Sequence, residues 1–397
     1  MRRSRMKSIL IDLTQIPLAR TGVGIYAVNY VRCLKAQGGA QRLHFLVLDD
    51  DTELLCEIGL VPNAVAIVLK AKVFRRFAFR VLLEQLLIPA IALAKGISAV
   101  HSLHYSFPLI SLGRFKRIVT VCDMSFFLFP ELHVPVKRMF FQFFIRRLQT
   151  VEGLLFISAS TMRDFMRFFP QCRVAHRVVP LGADLARLAQ APDAAVVQAL
   201  RRRFDIDKYI LYVGTIEPRK NILGLVQAFE RWADAHPGLK LVIAGKLGWD
   251  YDDVLAYMDK SRVRERIVLT GYVNEAEKHA LLKSALLFAY VSFYEGFGLP
   301  VLEGMAAGVP TITSNISSMP EVAGTGALQV DPNDIGQIAD AMQTLLGDPQ
   351  ARALLAERGL AQSRSFTWEN MTASSLDFYR EVLAQEGVPV PLKGAND

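Results

Sequence analysis

The sequence predicts an α/β fold built of two doubly wound, Rossmann-like domains. Its 397 residues are too many for one ordinary hydrophobic core and suit two domains of roughly 150–200 residues. Hydrophobic residues make up 52% of the chain and charged residues 21%, which is typical of a packed globular protein. Short strand-like runs alternate with helix-like segments, and this alternation predicts parallel sheets with helices on both faces.

The alternation runs through the first half of the chain and restarts in the second. In the first half, strands are predicted at residues 8–12, 44–48, 64–69, 99–101, 118–121 and 154–157, with a helix at 24–37. In the second half, strands are predicted at 209–213, 240–244, 267–270, 286–289 and 311–313, with a helix at 223–235. We therefore predict an N-terminal domain (1–190), a C-terminal domain (191–365) and a C-terminal segment (366–397) whose helix packs back on the N-terminal domain.

The loops after the strands are the expected site. Ligands of doubly wound sheets bind outside the carboxyl ends of the strands. With two such domains, these ends are expected to face an interdomain cleft.

Positive charge is concentrated in the first half of the chain. The net charge is +8, but residues 1–200 hold 26 Lys+Arg against 13 Asp+Glu, a balance of +13, and the remainder holds 20 against 25, a balance of −5. Between Glu57 and Asp123 the only acidic residue is Glu84, against nine basic ones. This asymmetry indicates an anionic partner for the N-terminal half, either nucleic acid or an anionic membrane surface.

Other global features favour a reduced, cytoplasmic protein. The apolar run at residues 86–94 has about half of the roughly 20 residues that a spanning helix needs, so no transmembrane segment is predicted. The basic and apolar start is interrupted by Asp12, which indicates a first strand rather than a signal peptide. The four cysteines, Cys33, Cys56, Cys122 and Cys172, show no metal-ligand spacing.

The segment 21–26, TGVGIY, follows the first predicted strand. Gly22 and Gly24 permit close backbone approach, and the helix that follows offers free N–H groups to a phosphate. A tight strand-to-helix loop without a ligand explains the pattern equally well, because Ala27 occupies the third glycine position of a dinucleotide-binding fingerprint.

The segment 213–221, VGTIEPRKN, lies between a predicted strand and a predicted helix. Its Arg219 and Lys220 stand at the start of the helix. Arg makes a two-pronged contact with phosphate oxygens and Lys supplies a compact charge, so both suit a diphosphate leaving group. A solvated basic turn is the alternative.

The segment 295–303, EGFGLPVLE, carries the strongest functional signal. Its two glycines allow unusual backbone angles, Pro300 suits the first turn of a helix, and free N–H groups near residues 298–301 favour a phosphate. Glu295 and Glu303 can hold sugar or ribose hydroxyls in a fixed orientation. The apolar neighbours of Glu303 indicate that it has a partner or a ligand.

Together, in order and spacing, these three segments resemble family four of the retaining glycosyltransferases, which have the GT-B fold. EGFGLPVLE matches the E-x7-E motif of that family, and the likeness covers nearly the whole chain. The resemblance implies a metal-independent enzyme that transfers a hexose with retention of configuration. It implies a GDP- or UDP-sugar as the donor substrate and no resident cofactor.

The resemblance also implies roles for the matching residues. Arg219 and Lys220 would neutralise the diphosphate, Glu295 would contact hydroxyls of the transferred sugar, and Glu303 would contact the ribose. Further donor-binding residues would be Gly22, Gly24, Gly214, Tyr272, Val273, Gly296, Phe297, Gly298 and Leu299.

The N-terminal domain departs from the family at one position. Family members tend to have His-Asp after a strand, whereas this chain has Cys122 followed by Asp123. Asp123 is a candidate for binding or deprotonating the acceptor hydroxyl, and a structural carboxylate at the end of a strand is the alternative. His101 and His104 could reach the cleft, although loop histidines with satisfied hydrogen bonds are the favoured interpretation.

The expected reaction is a front-face displacement by an acceptor hydroxyl. The resemblance favours mannose as the sugar and a glycan or lipid-linked acceptor in cell-surface polysaccharide or lipopolysaccharide synthesis. A sugar-nucleotide epimerase of the same fold and a non-catalytic nucleotide-sugar-binding protein are the alternatives. No metal site is expected, because the acidic runs at 49–51 and 250–252 suit solvated turns, and no nucleic-acid partner is expected, because no recognised motif is present.

Two basic and aromatic stretches indicate a membrane contact. Residues 137–149 (KRMFFQFFIRRLQ) and 70–80 (KAKVFRRFAFR) suit an anionic membrane interface. An ordinary core-facing helix with a solvated basic face explains them about as well. With the resemblance, they favour a peripheral enzyme at the inner face of the membrane.

Overall fold

The computed structural model describes residues 7–18, 20, 22–36 and 42–385. The chain separates into two compact units. Unit 1 extends to Pro180 and takes in the chain again from Trp368, and unit 2 is Leu181–Thr367. The chain changes units before the boundary predicted at residue 190, because the short helix Leu185–Ala189 packs within unit 2.

Unit 1 is built on a parallel seven-stranded sheet. Its described strands are β1 (Ser8–Asp12), β2 (Arg42–Leu48), β3 (Val65–Leu69), β4 (Ala99–Ser102), β5 (Lys116–Val121), β6 (Gly153–Phe156) and β7 (His176–Val178). They lie in the order β3-β2-β1-β4-β5-β6-β7, and Ile9 of β1 pairs with Leu43 on one side and Ala99 on the other. The six predicted strands of this sheet are confirmed, and the edge strand β7 was not predicted.

Helices connect these strands on the way along the chain. They are α1 (Gly22–Leu34), α2 (Thr52–Gly59), α3 (Ala71–Phe74), α4 (Phe77–Leu82), α5 (Ile88–Lys95), α6 (Ser125–Leu128), α7 (Pro135–Arg147) and α8 (Ala159–Phe168), with a π-helical turn at Leu83–Leu87 and 3-10 turns at Pro130–Leu132 and Leu148–Thr150. The predicted helix at 24–37 corresponds to α1.

Unit 2 repeats the architecture with six parallel strands. They are β8 (Lys208–Val213), β9 (Leu239–Ala244), β10 (Ile267–Gly271), β11 (Leu287–Tyr290), β12 (Thr311–Ser314) and β13 (Leu328–Val330). Their order is β10-β9-β8-β11-β12-β13. From β8 the chain adds β9 and β10 on one side of the sheet and then crosses over to add β11, β12 and β13 on the other. This reversal places a topological switch point between β8 and β11.

The helices of unit 2 cover this sheet. They are α9 (Leu185–Ala189), α10 (Ala194–Phe204), α11 (Ile222–Trp232), α12 (Asp252–Lys260), α13 (Glu275–Ser284), α14 (Leu299–Ala306), α15 (Met319–Ala323), α16 (Ile335–Gly347) and α17 (Pro349–Ser363), with 3-10 turns at Pro218–Lys220, Ala233–Ala235 and Arg264–Arg266. The α/β class and the two doubly wound sheets agree with the sequence-based expectation.

The C-terminal helix α18 (Trp368–Ala384) belongs to unit 1. Its Tyr379 hydroxyl lies 2.5 Å from the hydroxyl of Tyr30 on α1 and 2.6 Å from Nδ1 of His101 on β4. All three side chains are buried. A buried hydrogen-bond chain thus fixes the last described helix to the first sheet.

One helix of unit 1 has an unusual surface. By length and composition alone, the continuous helix Phe77–Lys95 could cross a membrane, whereas the sequence predicts no spanning segment. Leu83, Ile88 and Ala92 on one face of it pack with Leu10 and Val100 of the sheet. The helix therefore lies on the core of unit 1 by one face and carries apolar side chains on its other face.

Candidate functional site

The switch point of the unit 2 sheet brings two predicted segments together. Residues 214–221 follow β8, and residues 291–298 follow β11, the neighbouring strand. Both strands run in the same direction, so both loops leave the same edge of the sheet. Phe293 donates its backbone N–H to the carbonyl of Arg219 at 2.9 Å, which joins the two loops directly.

Arg219 and Lys220 close on Glu295 from the first loop. Nζ of Lys220 pairs with Oε1 of Glu295 and donates to the Tyr290 hydroxyl at 2.9 Å. Nη1 of Arg219 lies 3.3 Å from Oε2 of the same carboxylate, and Nη2 donates to Oε1 of Glu217 at 2.8 Å. The structure thus assembles the three predicted catalytic groups of this domain into one cluster.

The environment keeps Glu295 ionised. Burial alone would raise the pKa of this carboxyl, but Lys220 and Arg219 outweigh it and lower the pKa to about 2. Tyr290 adds a hydrogen bond of 2.8 Å to Oε1. Glu295 is therefore suited to accept hydrogen bonds from hydroxyl groups and unsuited to donate a proton at neutral pH.

Neighbouring side chains fix the position of the Glu295 loop. The backbone carbonyl of Glu295 accepts from Oγ of Ser317 at 2.7 Å and from Oγ of Ser318 at 2.9 Å. The ring of Tyr290 stacks on that of Tyr212 with their centroids 5.4 Å apart. The cluster is thus held rigidly, which electrostatic stabilisation of a leaving group requires.

The helix start after this loop offers an anion site. Gly298 caps α14 with φ +102°, a conformation that residues with a Cβ rarely adopt. The Val301 and Leu302 amides donate to the Gly298 carbonyl, so the prediction of a free N–H at Val301 is wrong. Within the described chain the Gly298 and Leu299 amides have no hydrogen-bond acceptor, which leaves two donors at a helix N-terminus.

The apolar side chains around Gly298 pack into the protein and do not face the helix start. Phe297 and Leu299 are buried, and the ring of Phe297 packs against Phe366 at 5.8 Å between centroids. Contacts from their backbones, and from that of Gly296, to a nucleotide-sugar donor stay a prediction. Gly214, directly after β8, donates its N–H to the carbonyl of Ala244 at 2.9 Å.

Among the described residues, Glu303 pairs with a cation outside the cluster around Glu295. Its Oε1 accepts from Nζ of Lys278 on α13 at 2.8 Å, and both side chains are largely buried. Lys278 also lies 3.1 Å from Glu275, which pairs with Arg187 of α9 at 2.7 Å. The expectation that Glu303 has a partner is confirmed, and its ribose-binding role stays a prediction.

Tyr272 and Val273 lie apart from these groups. They follow β10, which is the edge strand two places from β8. Tyr272 is 71% exposed, and no hydrogen bond or ring contact joins it to the cluster in the described residues. A role at the nucleotide base therefore stays a prediction for both.

The glycine segment of unit 1 opens a helix. Gly22 is the first residue of α1, and a Cβ at Gly22 would meet no atom within 4 Å. Gly24 is buried in the first turn. Thr21 lies outside the described residues. Both glycines thus stand at a helix N-terminus, and their contact with a donor stays a prediction.

Asp123 follows β5, and one of its carboxylate oxygens already accepts a hydrogen bond within the protein. Its Oδ1 accepts from the Ser125 amide at 2.8 Å, and its N–H donates to the hydroxyl of Tyr105 at 2.8 Å. Within the described chain Oδ2 has no hydrogen-bond partner. Cys122 is buried and burial raises the pKa of its thiol strongly, so this group does not replace the missing histidine as a polar ligand.

The two histidines differ. His101 lies on β4 rather than in a loop, and its Nε2 lies 2.8 Å from Oγ1 of Thr120, so its hydrogen bonds are satisfied. His104 has a buried Nδ1 without a partner in the described chain, which contradicts the favoured interpretation. Burial lowers the pKa of each to about 3, so both are neutral at physiological pH.

The acidic run at residues 49–51 serves local structure. Asp49 accepts from the amide of Ala71 at 2.9 Å, Asp50 pairs with Arg75 at 2.6 Å, and Asp51 caps α2. Within the described residues, no group of three or more His, Cys, Asp or Glu side chains could hold a metal ion.

Sequence reasoning missed Glu217, Tyr290 and Lys278. Glu217 was visible in VGTIEPRKN as a carboxylate two residues before Arg219. Tyr290 ends the strand before the motif and looks like an ordinary core residue. Lys278 lies on a separate helix. The only signal that could have indicated it was that Glu303, among apolar neighbours, needs a cationic partner.

Comparisons with known proteins agree with this architecture. The structure of Alr3699/HepE from Anabaena in complex with UDP matches with a TM-score of 0.72 at 15% identity, over 95% of this chain and 100% of that one. Two doubly wound, parallel sheets of this kind are the architecture of the GT-B fold, and the chain has that fold.

Sequence relatives identify the family. Residues 199–362 match the family described as glycosyl transferases group 1. O-antigen chain mannosyltransferase B of Escherichia coli is 34% identical over 270 residues, which are 67% of this chain and 70% of that protein. Serotype-specific mannosyltransferase WbdA of Escherichia coli is 29% identical over 276 residues, and the match spans only 34% of its length. The chain belongs to the group 1 glycosyl transferases.

Proposed function

We propose that this glycosyltransferase transfers a mannosyl residue from GDP-mannose to a glycan or lipid-linked acceptor, with retention of configuration and without a metal ion. The observation that carries the proposal is the cluster of Arg219, Lys220 and Glu295 at the switch point of the unit 2 sheet. The names of the two Escherichia coli relatives support mannose and O-antigen-type polysaccharide synthesis. The UDP bound to Alr3699/HepE supports a nucleotide donor.

The proposed reaction is a front-face displacement. An acceptor hydroxyl oxygen forms a bond to the anomeric carbon as the bond from that carbon to the phosphate oxygen breaks. The proton of the hydroxyl passes to a phosphate oxygen of the departing nucleoside diphosphate. Arg219 and Lys220 stabilise the charge that develops on this leaving group, and the amides at Gly298 and Leu299 add donors.

The carboxylates have binding roles in this proposal. Glu295 is held ionised by the two cations, so it orients hydroxyls of the sugar and transfers no proton. Glu303 contacts the ribose. Asp123 of unit 1 binds the acceptor hydroxyl, and its Oδ2 is available for that contact. The same ionisation of Glu295 disfavours the epimerase alternative, which needs a proton-transfer group beside the sugar.

A lipid-linked acceptor would require the enzyme to work at a membrane surface. The excess of positive charge in residues 1–200 and the apolar outer face of the helix Phe77–Lys95 support peripheral attachment to an anionic leaflet. We therefore place the enzyme at the cytoplasmic face of a membrane, where a lipid-linked acceptor would be presented.

The test is to incubate the purified full chain with GDP-mannose, GDP-fucose, UDP-glucose and UDP-galactose in EDTA. Release of nucleoside diphosphate and the anomeric proton signals of the sugar are followed by NMR. We expect slow hydrolysis of GDP-mannose in preference to the others, with an α-configured product. A changed sugar on an intact nucleotide would identify an epimerase, and binding without turnover would identify a binding protein. Activity only on addition of a divalent cation would refute metal independence.

A further inference from the structure

A cavity of about 360 Å³ lies in unit 1, lined by α7 and by the first turn of the helix Phe77–Lys95. Its volume falls in the range of roughly 300–1,000 Å³ that is usual for small-molecule sites. Phe77, Phe140 and Phe141 line it, with two valines at the start of α7. The rings of Phe77 and Phe140 are 5.1 Å apart between centroids, so the two helices meet at this wall.

The charged residues of the lining are both basic. Arg80 donates through Nε to Oε1 of Glu84 at 3.1 Å, and its two Nη groups have no partner within the described chain. Lys137 is exposed and forms no ion pair in the same described residues. A guanidinium with a free fork and a nearby ammonium form a suitable site for a phosphate group.

Arg80 is fixed rather than loose. Its partner Glu84 is completely buried in the π-helical turn, and Oε1 of Glu84 also accepts from Oγ of Ser106 at 3.1 Å. Glu84 is the only acidic residue between Glu57 and Asp123. The exposed charge of this stretch is therefore entirely positive, which favours an anionic ligand.

The mouth of the cavity is unusually apolar. Of the lining residues, Val134, Val136 and Phe77 are each 59–71% exposed. Clustered exposed side chains of this size indicate a binding surface for something apolar. Apolar walls, an apolar rim and two cations together suit an amphiphile with a phosphate beside a hydrocarbon chain.

The cavity adjoins the candidate acceptor group. Phe141 of its wall contacts the ring of Tyr105 at 5.8 Å between centroids. The Tyr105 hydroxyl accepts from the Asp123 amide and donates to the Asp123 carbonyl, at 2.8 and 2.9 Å. A ligand in the cavity would thus lie one aromatic side chain away from the residue that holds the Asp123 loop.

We propose that this cavity binds the phosphate group and the adjoining hydrocarbon of a lipid-linked acceptor, with Arg80 and Lys137 on the phosphate and the phenylalanines on the chain. The inference rests on the proposed function and names the acceptor class that it requires. A neutral lipid would leave the two cations without a partner, and a water-soluble sugar phosphate would leave the apolar walls in water.

The test uses farnesyl phosphate below its micelle concentration as the probe, titrated into the full chain by calorimetry. Farnesol and inorganic phosphate are the comparison ligands. We expect farnesyl phosphate to bind at least tenfold more tightly than either. Lys137→Glu and Val136→Asp, both at exposed positions, should each weaken it at least tenfold, whereas Lys95→Glu, at an exposed position outside the lining, should not. Farnesol binding as tightly as its phosphate, or unchanged binding in both variants, would overturn the proposal.

A second arm separates the acceptor lipid from bulk membrane lipid. The same variants are sedimented with vesicles of phosphatidylglycerol and phosphatidylcholine. Loss of vesicle binding with unchanged farnesyl phosphate binding would identify a membrane-docking surface and refute the acceptor site. Hydrolysis of GDP-mannose by the unaltered chain is measured in parallel. Turnover without farnesyl phosphate binding defeats this inference alone, and absence of turnover defeats the proposed function instead.

Discussion

Lys278 and Glu303 form a buried ion pair that joins α13 to α14, with Nζ and Oε1 2.8 Å apart and the side chains 9% and 12% exposed. Burial lowers the pKa of Lys278, but Glu303 and Glu275 outweigh it and raise the pKa above its usual value. Arg187 in turn holds Glu275. Glu303, the residue predicted to contact the ribose, is therefore oriented by a chain of ion pairs that begins at Arg187 on α9.

Replacing Lys278 should destabilise unit 2. Lys278→Met leaves the carboxylate of Glu303 buried without its cation, which costs about 3 kcal/mol in the free energy of unfolding. Chemical denaturation measures this cost. Arg380→Ala is the control, because Arg380 pairs with Asp377 on the surface and the pair should contribute under about 1 kcal/mol. Equal losses in the two variants would contradict a structural role for the buried pair.

Arg219 should matter more for turnover than for stability. Replacing both Arg219 and Lys220 by Ala would not separate an effect on turnover from an effect on stability. Lys220 is buried against Glu295, and its loss would leave that buried carboxylate without its cation. Arg219→Ala keeps the Lys220 partner and should lower the rate of GDP-mannose turnover about 100-fold. Its melting temperature should stay close to that of the unaltered chain.

Arg231→Ala is the matched control for this variant. Arg231 is an exposed arginine on α11, the helix that follows the same loop. Its loss should change neither turnover nor melting temperature. If Arg219→Ala retained most of the activity, the cluster would not be stabilising a leaving group.

The long strands of both sheets could be predicted, and the two three-residue edge strands, β7 and β13, could not. β1 and β8 are continuous apolar runs because both faces of a parallel sheet are covered. β7 and β13 have three residues each and are mostly half-buried, so they carry no comparable pattern. The loops after β8 and β11 meet because these two strands are parallel neighbours in the sheet, although they are far apart along the chain.

The candidate site could be predicted where its residues stand in loops that directly follow predicted strands. Arg219, Lys220 and Glu295 were found because each stands in a loop directly after a strand. Lys278 was not found, because EAEKHALLKS looks like a solvent-exposed helix and its pairing with Glu303 spans 25 positions. A contact of this kind depends on how α13 and α14 pack, which local sequence patterns do not report.

Glu84 should make the stability of the protein depend on pH. Burial is the main cause that raises the pKa of its carboxyl to about 7 from the usual 4.5, Arg80 opposes the shift, and Asp12 adds to it. Between these pH values the unfolded chain releases a proton that the folded protein keeps, so stability falls as the pH rises through this range. The fall amounts to about 3 kcal/mol.

Glu84→Gln removes this titration and should abolish most of the fall. Urea unfolding at pH 5 and pH 8 measures the difference for both proteins. Glu131→Gln, at an exposed position in the same unit, is the control and should behave like the unaltered chain. The same decline with and without Glu84 would show that other groups cause it.

Gly298 should be required for both the loop and the donor site. Its φ of +102° costs a residue with a Cβ at least about 1 kcal/mol, and that Cβ would lie 3.2 Å from Sδ of Met319. Relief of this contact moves the backbone at the start of α14, where the Gly298 and Leu299 amides are the proposed phosphate donors. Gly298→Ala should therefore weaken binding of GDP, measured by calorimetry, as well as lower the melting temperature. Gly347→Ala, at the end of α16 where a Cβ meets no atom within 4 Å, should change neither. A stability loss with unchanged GDP affinity would separate the two roles and exclude the helix start as the phosphate site.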